Sequence, residues 1–555
     1  MLPCNFAITF IQNLLPMKHY LTKLQETTLA CWDRPSLCDW RGDTYTYGQV
    51  AAEVERFHLA FHAAGLRKGD KVAICARNSA CWAISFWAVN TYEAVAVPIL
   101  TDFRPEGIMR LVNHSDSVLL FTDADIFEKL DIAKMPALRA VINNQDYTLL
   151  ASPDEAVGKA YEQRNKLFSE TYPEGFRREN VHYPTGNEAD VAIINYTSGT
   201  TSEPKGVMLT YGALCDTDEY SNTHFPNTHE DTMISMLPMA HMYGLAIEFI
   251  HPNVDGVPIY YLGKTPSPST LLGAMKDVKP YMVVTVPLVM EKVYESSIKP
   301  AQEKVKWALR IPGVKQLVYK KVRDGVNNAF GGKVRCYIMG GAPLKPEVER
   351  CFKAIRLPYM VGYGMTEACP LLGWEWWEDF VPGSCGKAVH EVRIDSEDPA
   401  HVPGEIQARG ANLTIGYYKN PEATAAAFTE DGWFRTGDMG IVDEAGNIFI
   451  RGRIKSMILS ASGQNIYPEE VEAVLLSHPL VAEAIVVGRE SKVVGLVYLD
   501  ENAAREYPNR GLLAGQIRVD VNKQLPIYSQ IALIELMDKP FEKTPKMSIK
   551  RYLYK

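Results

Sequence analysis

Val191-Ala-Ile-Ile-Asn-Tyr196 is a short apolar run that leads without a break into Thr197-Ser-Gly-Thr-Thr-Ser-Glu-Pro-Lys-Gly206. The run reads as a buried strand, because Val and Ile suit a pleated surface covered on both faces. The segment after it carries five hydroxyl residues around Gly199. Small residues let backbone amides approach phosphate oxygens, and the hydroxyls add donors of their own. Pro204 stiffens the exit, and Lys205 can place a positive charge on the outer phosphates. The order differs from G-x-x-x-x-G-K-[ST], so this is a nucleotide loop of another kind.

Similar runs lie on either side of this stretch. Lys71-Val-Ala-Ile-Cys-Ala76, Ala94-Val-Ala-Val-Pro-Ile99, Val118-Leu-Leu-Phe-Thr122, Met282-Val-Val-Thr-Val-Pro287 and Val334-Arg-Cys-Tyr-Ile-Met339 all read as buried strands. Between them lie amphipathic segments such as Tyr47-Gly-Gln-Val-Ala-Ala-Glu-Val-Glu-Arg-Phe-His-Leu-Ala-Phe61. Apolar strands alternating with helices imply parallel sheets covered on both faces, an α/β class. Near residue 440 the texture changes. Ile441-Val-Asp-Glu-Ala-Gly-Asn-Ile-Phe-Ile450 reads as a hairpin turning around Ala445, Gly446 and Asn447. Arg451-Gly-Arg-Ile-Lys455 is a short polar joint. Beyond it Pro468 marks a helix start, with Glu469 and Glu470 at the positive end of its dipole. The expected division is 1–452 and 453–555, the second part being of a size that folds by itself.

Composition narrows the function classes. Of 555 residues, 46% are hydrophobic and 22% charged, the balance of a globular protein able to bury a large core. The formal net charge of −8, without a basic run, argues against a nucleic-acid partner, which needs clustered Lys and Arg. Ten cysteines stand singly with no C-x-x-C pair, so a reducing cytoplasmic setting is expected. No apolar run approaches the ~20 residues of a membrane span, which leaves peripheral membrane contact open. The apolar start has no basic n-region and reads as an upstream extension, with the native start expected at Met17.

Tyr196-Thr-Ser-Gly-Thr-Thr-Ser-Glu-Pro-Lys-Gly206 resembles the Y-T-S-G-T-T-x-x-P-K-G signature of the adenylate-forming superfamily, with Ser202 where the family usually has Gly. The likeness continues in order along nearly the whole chain, and it is greatest to long-chain fatty acid–CoA ligases. It implies a large N-terminal adenylation domain of parallel α/β sheets with a β-barrel-like subdomain, then a small mobile α+β C-terminal domain. Thr197, Ser198, Gly199, Thr200 and Thr201 would take the phosphates of ATP, with Lys205 as their cation. Gly340-Gly-Ala-Pro-Leu344 resembles the adenine-side loop, giving Gly341, Ala342 and Pro343 as contacts. Gly362-Tyr-Gly-Met-Thr-Glu367 is the second strong match. It assigns Gly362, Tyr363 and Gly364 to the nucleotide, Thr366 to the α-phosphate and Glu367 to Mg²⁺, with Thr197 as a further metal contact. Trp433-Phe-Arg-Thr-Gly-Asp438 resembles the ribose motif; Asp438 would accept from both hydroxyls, Arg453 would add a contact, and Lys455 takes the hinge position.

The implied chemistry is attack of a carboxylate on the ATP α-phosphate, then of a thiol on the acyl-adenylate, so the protein mainly positions and neutralises charge. CoA is the expected thiol, with an acyl carrier protein as the alternative. Leu237-Pro-Met-Ala-His-Met-Tyr-Gly244 looks like a segment of long-chain members, which places His241 near the substrate carboxylate. The end of the chain departs from the pattern. Where the family resembles T-P-T-x-K-x-K-R, Lys543-Thr-Pro-Lys-Met-Ser-Ile-Lys-Arg551 puts Ser548 at the lysine position. Serine supplies no charge, so Lys546 is the expected substitute, Lys550 being the other neighbour. A nucleotide-binding module that has lost turnover is the alternative from another class, and it rests on Ser548.

Overall fold

The apolar runs become neighbouring strands. Gly416–Tyr417, Lys205–Thr210, Val191–Thr197, Val95–Pro98, Lys71–Cys75, Ser117–Thr122, Ala140–Asn143 and Leu149–Ala151 form one eight-stranded sheet in that order. The computed structural model describes residues 18–197, 205–225, 227–263, 268–304, 314–459, 465–489, 492–501, 507, 510–543 and 549–554. From Val191–Thr197 to Ala140–Asn143 the sheet is parallel, and antiparallel strands close both ends. The helix Tyr47–Ala63 is opened by a capping box of Thr46 and Gln49. It turns Val50, Val54, Phe57 and Phe61 inward at helical spacing. The helix Ala80–Thr91 is buried at every position, as an apolar helix inside the core must be.

A second parallel sheet, Met282–Thr285, Cys336–Met339 and Tyr359–Val361, delivers Gly340 and Gly362 at the ends of its strands. The strand Met233–Ser235 lies at the edge of a third sheet, paired with Ile259–Tyr261, which pairs in turn with Pro35–Asp39. Glu391–Asp395, Gly404–Arg409, Phe434–Val442 and Ile448–Arg453 form an antiparallel four-stranded sheet. Its last hairpin is the one expected from the sequence, with Val442 opposite Ile448. Among the described residues no helix is long and apolar enough to cross a membrane.

A separate small core follows. Val481–Arg489, Lys492–Leu499 and Leu533–Leu536 make a three-stranded sheet under the helices Pro468–Leu476 and Arg510–Asn522. Val471, Leu475, Val497, Ile517 and Val521 fill it. Pro468 opens its helix with Glu469 and Glu470 in the first turn, as their chemistry demands. Glu472 on this helix is buried, accepts the Val486 N–H at 2.6 Å and pairs with Arg551 near the end of the chain.

Burial pushes the Glu472 carboxyl up to about 7, against the pull of Arg551. A raised folded pKa means that the native state holds the proton longer than the unfolded chain. Its stability contribution is therefore complete below the ordinary carboxylate value and is lost as pH rises through about 7. Glu472→Gln should flatten the dependence of the urea midpoint on pH between 5 and 8. A slope equal to that of the unsubstituted chain would contradict this.

Candidate functional site

Thr197 ends one strand and Lys205 begins the next, and the two stand opposite each other in the antiparallel pair. Ser198, Gly199, Thr200 and Thr201 lie outside the described residues, as do Ser462, Ser548 and Lys546. Lys205 Nζ sits over the Tyr417 ring, 4.5 Å from its centroid. Tyr417 Oη donates to Glu367 Oε1 at 3.0 Å. Burial first, and Glu367 second, push the Tyr417 phenol far above its ordinary range, so it remains a donor. One tyrosine thus carries the loop's lysine on its face and the candidate metal carboxylate on its hydroxyl. Sequence reading had not singled it out. Its own strand pairs with the one that begins at Lys205, Tyr417 opposite Val207.

Glu367 and Thr366 are buried in a short turn, Thr366–Ala368. The Thr414 N–H donates to the Glu367 carbonyl at 2.7 Å, and the Met365 N–H donates to the Pro370 carbonyl at 2.8 Å. Gly364 is where this turn folds back most closely: a Cβ there would lie 2.1 Å from the Pro370 carbonyl oxygen. The sequence had put Gly364 in the nucleotide loop, and its close backbone approach is a sufficient reason for glycine.

Tyr363 and Asp438 meet directly. Tyr363 Oη donates to Asp438 Oδ2 at 2.7 Å, while Arg453 Nε lies 2.6 Å from Oδ1. Asp438 and Arg453 face each other across the hairpin, so strand register alone brings the pair together. The Asp438 N–H donates to Thr436 Oγ1 at 3.0 Å, which fixes the backbone at this point. Asp438 is only 3% exposed, and burial raises its carboxyl while Arg453 and Tyr363 oppose that rise. Each oxygen keeps a second acceptor direction for a ligand hydroxyl.

Gly340 and Gly341 follow the strand Cys336–Met339, and the Gly362 N–H donates to the Met339 carbonyl at 2.8 Å. The two glycine loops therefore start side by side. Gly341 has φ +83°, the left-handed region, while Ala342 and Pro343 are exposed. At Gly340 a Cβ would lie 3.2 Å from the Tyr243 ring. Tyr243 is two residues past His241, and its N–H donates to His241 Nδ1 at 3.3 Å. His241 is partly exposed, so its segment borders the glycine loops without being sealed in.

Lys455 is exposed in the turn Ile454–Ser456, immediately after Arg453. Ser456 Oγ donates to Glu469 Oε1 at 2.8 Å, so the joint rests on the start of the helix Pro468–Leu476.

Residues 25–418 match the family model described as AMP-binding enzyme, and residues 455–554 match that of the AMP-binding enzyme C-terminal domain. The chain belongs to the AMP-binding enzyme family. Long-chain-fatty-acid–CoA ligase FadD15 of Mycobacterium bovis is 30% identical, over 84% of this chain and 79% of the relative. The chloroplastic long-chain-fatty-acid–[acyl-carrier-protein] ligase AEE15 of Arabidopsis thaliana is 26% identical, over 94% and 82%. The solved O-succinylbenzoate coenzyme A synthetase of Bacillus subtilis, in complex with ATP and magnesium ion, shares the fold. Its TM-score is 0.73 at 24% identity, over 96% of this chain and 98% of that one.

In this AMP-binding enzyme the packing at Gly364 yields a direct test. Gly364→Ala should cost about 1–3 kcal/mol or more, because the nearest obstacle is backbone and cannot swing away. The readout is the melting temperature of the whole chain. An unchanged value would show that the turn is looser than its geometry.

Proposed function

We propose that this AMP-binding enzyme activates a fatty carboxylic acid, of long chain, with ATP and then transfers the acyl group to CoA. The observation that carries the reading is Tyr417, with Lys205 on its ring and Glu367 on its hydroxyl. That arrangement keeps a cation and a carboxylate close without letting them neutralise each other. The cation stays available to phosphate oxygens, and Glu367 Oε2, the oxygen that Tyr417 does not engage, would hold Mg²⁺. The ion, when bound, offsets charge on the polyphosphate.

The first step forms a bond between a substrate carboxylate oxygen and the α-phosphorus, and breaks the bond to the leaving pyrophosphate. Lys205 stabilises the charge on the phosphate oxygens, with Thr366 at the α-phosphate and Thr197 at the start of the loop. Tyr363 lies against adenine, while Asp438 accepts from the ribose hydroxyls, with Arg453 opposing the rise that burial imposes on its carboxyl. His241 orients the acid. In the second step a thiol sulfur attacks the acyl carbon, AMP leaves and the thiol proton passes to solvent. Lys455 is the hinge between parts 1–452 and 453–555, exposed and therefore free to rotate between two poses.

Lys546 takes the place of the lysine for which Ser548 stands. Supporting this, Lys550 Nζ pairs with Glu542 at 3.3 Å, which leaves Lys546 as the neighbour to supply the charge. The alternative acceptor, a carrier protein, is supported by the Arabidopsis relative, which is named as a long-chain-fatty-acid–[acyl-carrier-protein] ligase. A cytoplasmic enzyme with peripheral contact at a membrane suits a fatty substrate.

Acid-dependent pyrophosphate exchange across a panel of short to long fatty acids tests the reading, with AMP release in the presence of CoA or a carrier protein naming the acceptor. Exchange with none of the acids would refute it. Lys205→Ala should lower exchange by about 10²–10³-fold, the size of a lost charge-stabilising group. Lys546→Ala should slow adenylate formation while Lys550→Ala leaves it near normal. Equal rates for Lys546→Ala and the unsubstituted enzyme would remove Lys546 from the site.

A further inference from the structure

The segment from Ser235 to His241 is not in regular structure beyond the strand Met233–Ser235, yet its backbone is bonded by side chains from three other elements. Glu248, fully buried, accepts with Oε2 from the Met236 N–H at 3.0 Å, the Leu237 N–H at 2.9 Å and Ser235 Oγ at 3.2 Å. Asn78, at the exit of the strand Lys71–Cys75, donates to the Leu237 carbonyl at 2.6 Å and accepts the Met239 N–H at 2.9 Å. Asn195, 2% exposed, donates to the Ala240 carbonyl at 3.0 Å. A connecting segment normally leaves such groups to water. Here they are satisfied from the protein side, residue after residue, up to the neighbour of His241.

Asn195 lies on the strand Val191–Thr197, two residues before Thr197. The strand that opens the phosphate loop therefore also holds the peptide next to His241. We propose that Asn78, Asn195 and Glu248 are positioning residues that hold the His241 segment in register with the strand Val191–Thr197, and so act on the acid rather than on ATP. The inference rests on the function proposed above, in which His241 meets the substrate carboxylate. A reacting group must be held to within ~0.5 Å, and a loop attains this only when its supports are themselves fixed. The bonds from Asn195 to Ala240 and from Ser235 to Glu248 are buried, so the segment cannot shift without breaking bonds that water does not readily replace.

Burial favours the neutral form of Glu248. It pushes the carboxyl up to about 8, and among the described residues no cation pairs with it. Its Oε1 has no hydrogen-bond partner among the described residues. An amide reproduces this arrangement: one oxygen accepts from the turn, and the second atom replaces Oε1. Glu248→Gln is therefore the conservative variant, and Glu248→Ala the disruptive one.

The experiment uses the full chain, at pH 7, with acid-dependent pyrophosphate exchange read as separate kinetics for acid and ATP. Asn195→Ala and Glu248→Ala should each lower kcat/KM for the acid by about tenfold, with KM for ATP within about twofold of normal. Glu248→Gln should stay within about twofold. In a His241→Ala background, Asn195→Ala should add less than about twofold, because it acts through that residue. Equal losses for acid and ATP, or full additivity with His241→Ala, would overturn the proposal. Amide hydrogen exchange reads the clamp without turnover: Glu248→Ala should expose the Met236 and Leu237 amides, and Glu248→Gln should not. Unchanged protection in Glu248→Ala would overturn the clamp itself. Absence of any acid-dependent exchange in the unsubstituted enzyme would refute the activity, while the amide measurement still decides the clamp.

Discussion

A carboxylate taken out of water must find a cation, a set of donors or a proton, and Asp438 shows how much of this chain is arranged around that need. Its two oxygens are met by Tyr363, from the loop after the second parallel sheet, and by Arg453, from the facing strand of its own hairpin. Removing either partner would leave a buried charge short of its compensation, which is costlier than losing an exposed pair. The bond to Tyr363 therefore fixes how the antiparallel sheet sits against the loop that carries Tyr363. Arg453 leads directly into Lys455 and the joint, so the same carboxylate also anchors the point from which the small core departs.

Glu367 solves the same problem with a donor in place of a cation. Tyr417 supplies it, and the ring of that tyrosine then accepts Lys205 on its face. A direct Lys205–Glu367 pair would have used up both charges. With Lys205 on the ring face and Glu367 on the hydroxyl, a polyphosphate and a divalent ion are natural complements of the two charges.

Much of this was legible in the sequence wherever the signal is local. Buried parallel strands announce themselves as unbroken apolar runs, and the hairpin at Val442–Ile448 shows in its Gly446-Asn447 turn. The helix at Pro468 shows in its first turn. Tyr363, Glu367 and Asp438 were named from the sequence because their motifs resemble those of a known family, and the structure brings Tyr363 and Asp438 into direct contact. Tyr417, Thr436, Asn78, Asn195 and Glu248 were not named, and the reason is physical. A hydrogen bond such as Asn195 to Ala240 joins residues 45 apart, and neither end carries a periodicity, cap or turn preference that betrays the other. An asparagine inside an apolar strand is the one faint hint. It is a buried amide that must be satisfied somewhere, and the sequence does not say where.

The contrast between Asp438 and Glu248 follows the proposed chemistry. Both are buried acids, but Asp438 has a guanidinium beside it and Glu248 has only N–H and O–H donors. Burial therefore pushes the Glu248 carboxyl up to about 8, which favours its neutral form at pH 7. On the proposed reading, the segment that Glu248 supports receives a substrate carboxylate, and next to it lies the path of an anionic polyphosphate. A second fixed negative charge beneath that segment would repel the nucleophile in a medium that screens poorly. A neutral acid gives the same three acceptor contacts without the field. The ATP side can tolerate an ionised carboxylate, because the ribose hydroxyls it would bind are themselves donors. The acyl side is less tolerant, and among the described residues no cation accompanies its buried acid Glu248.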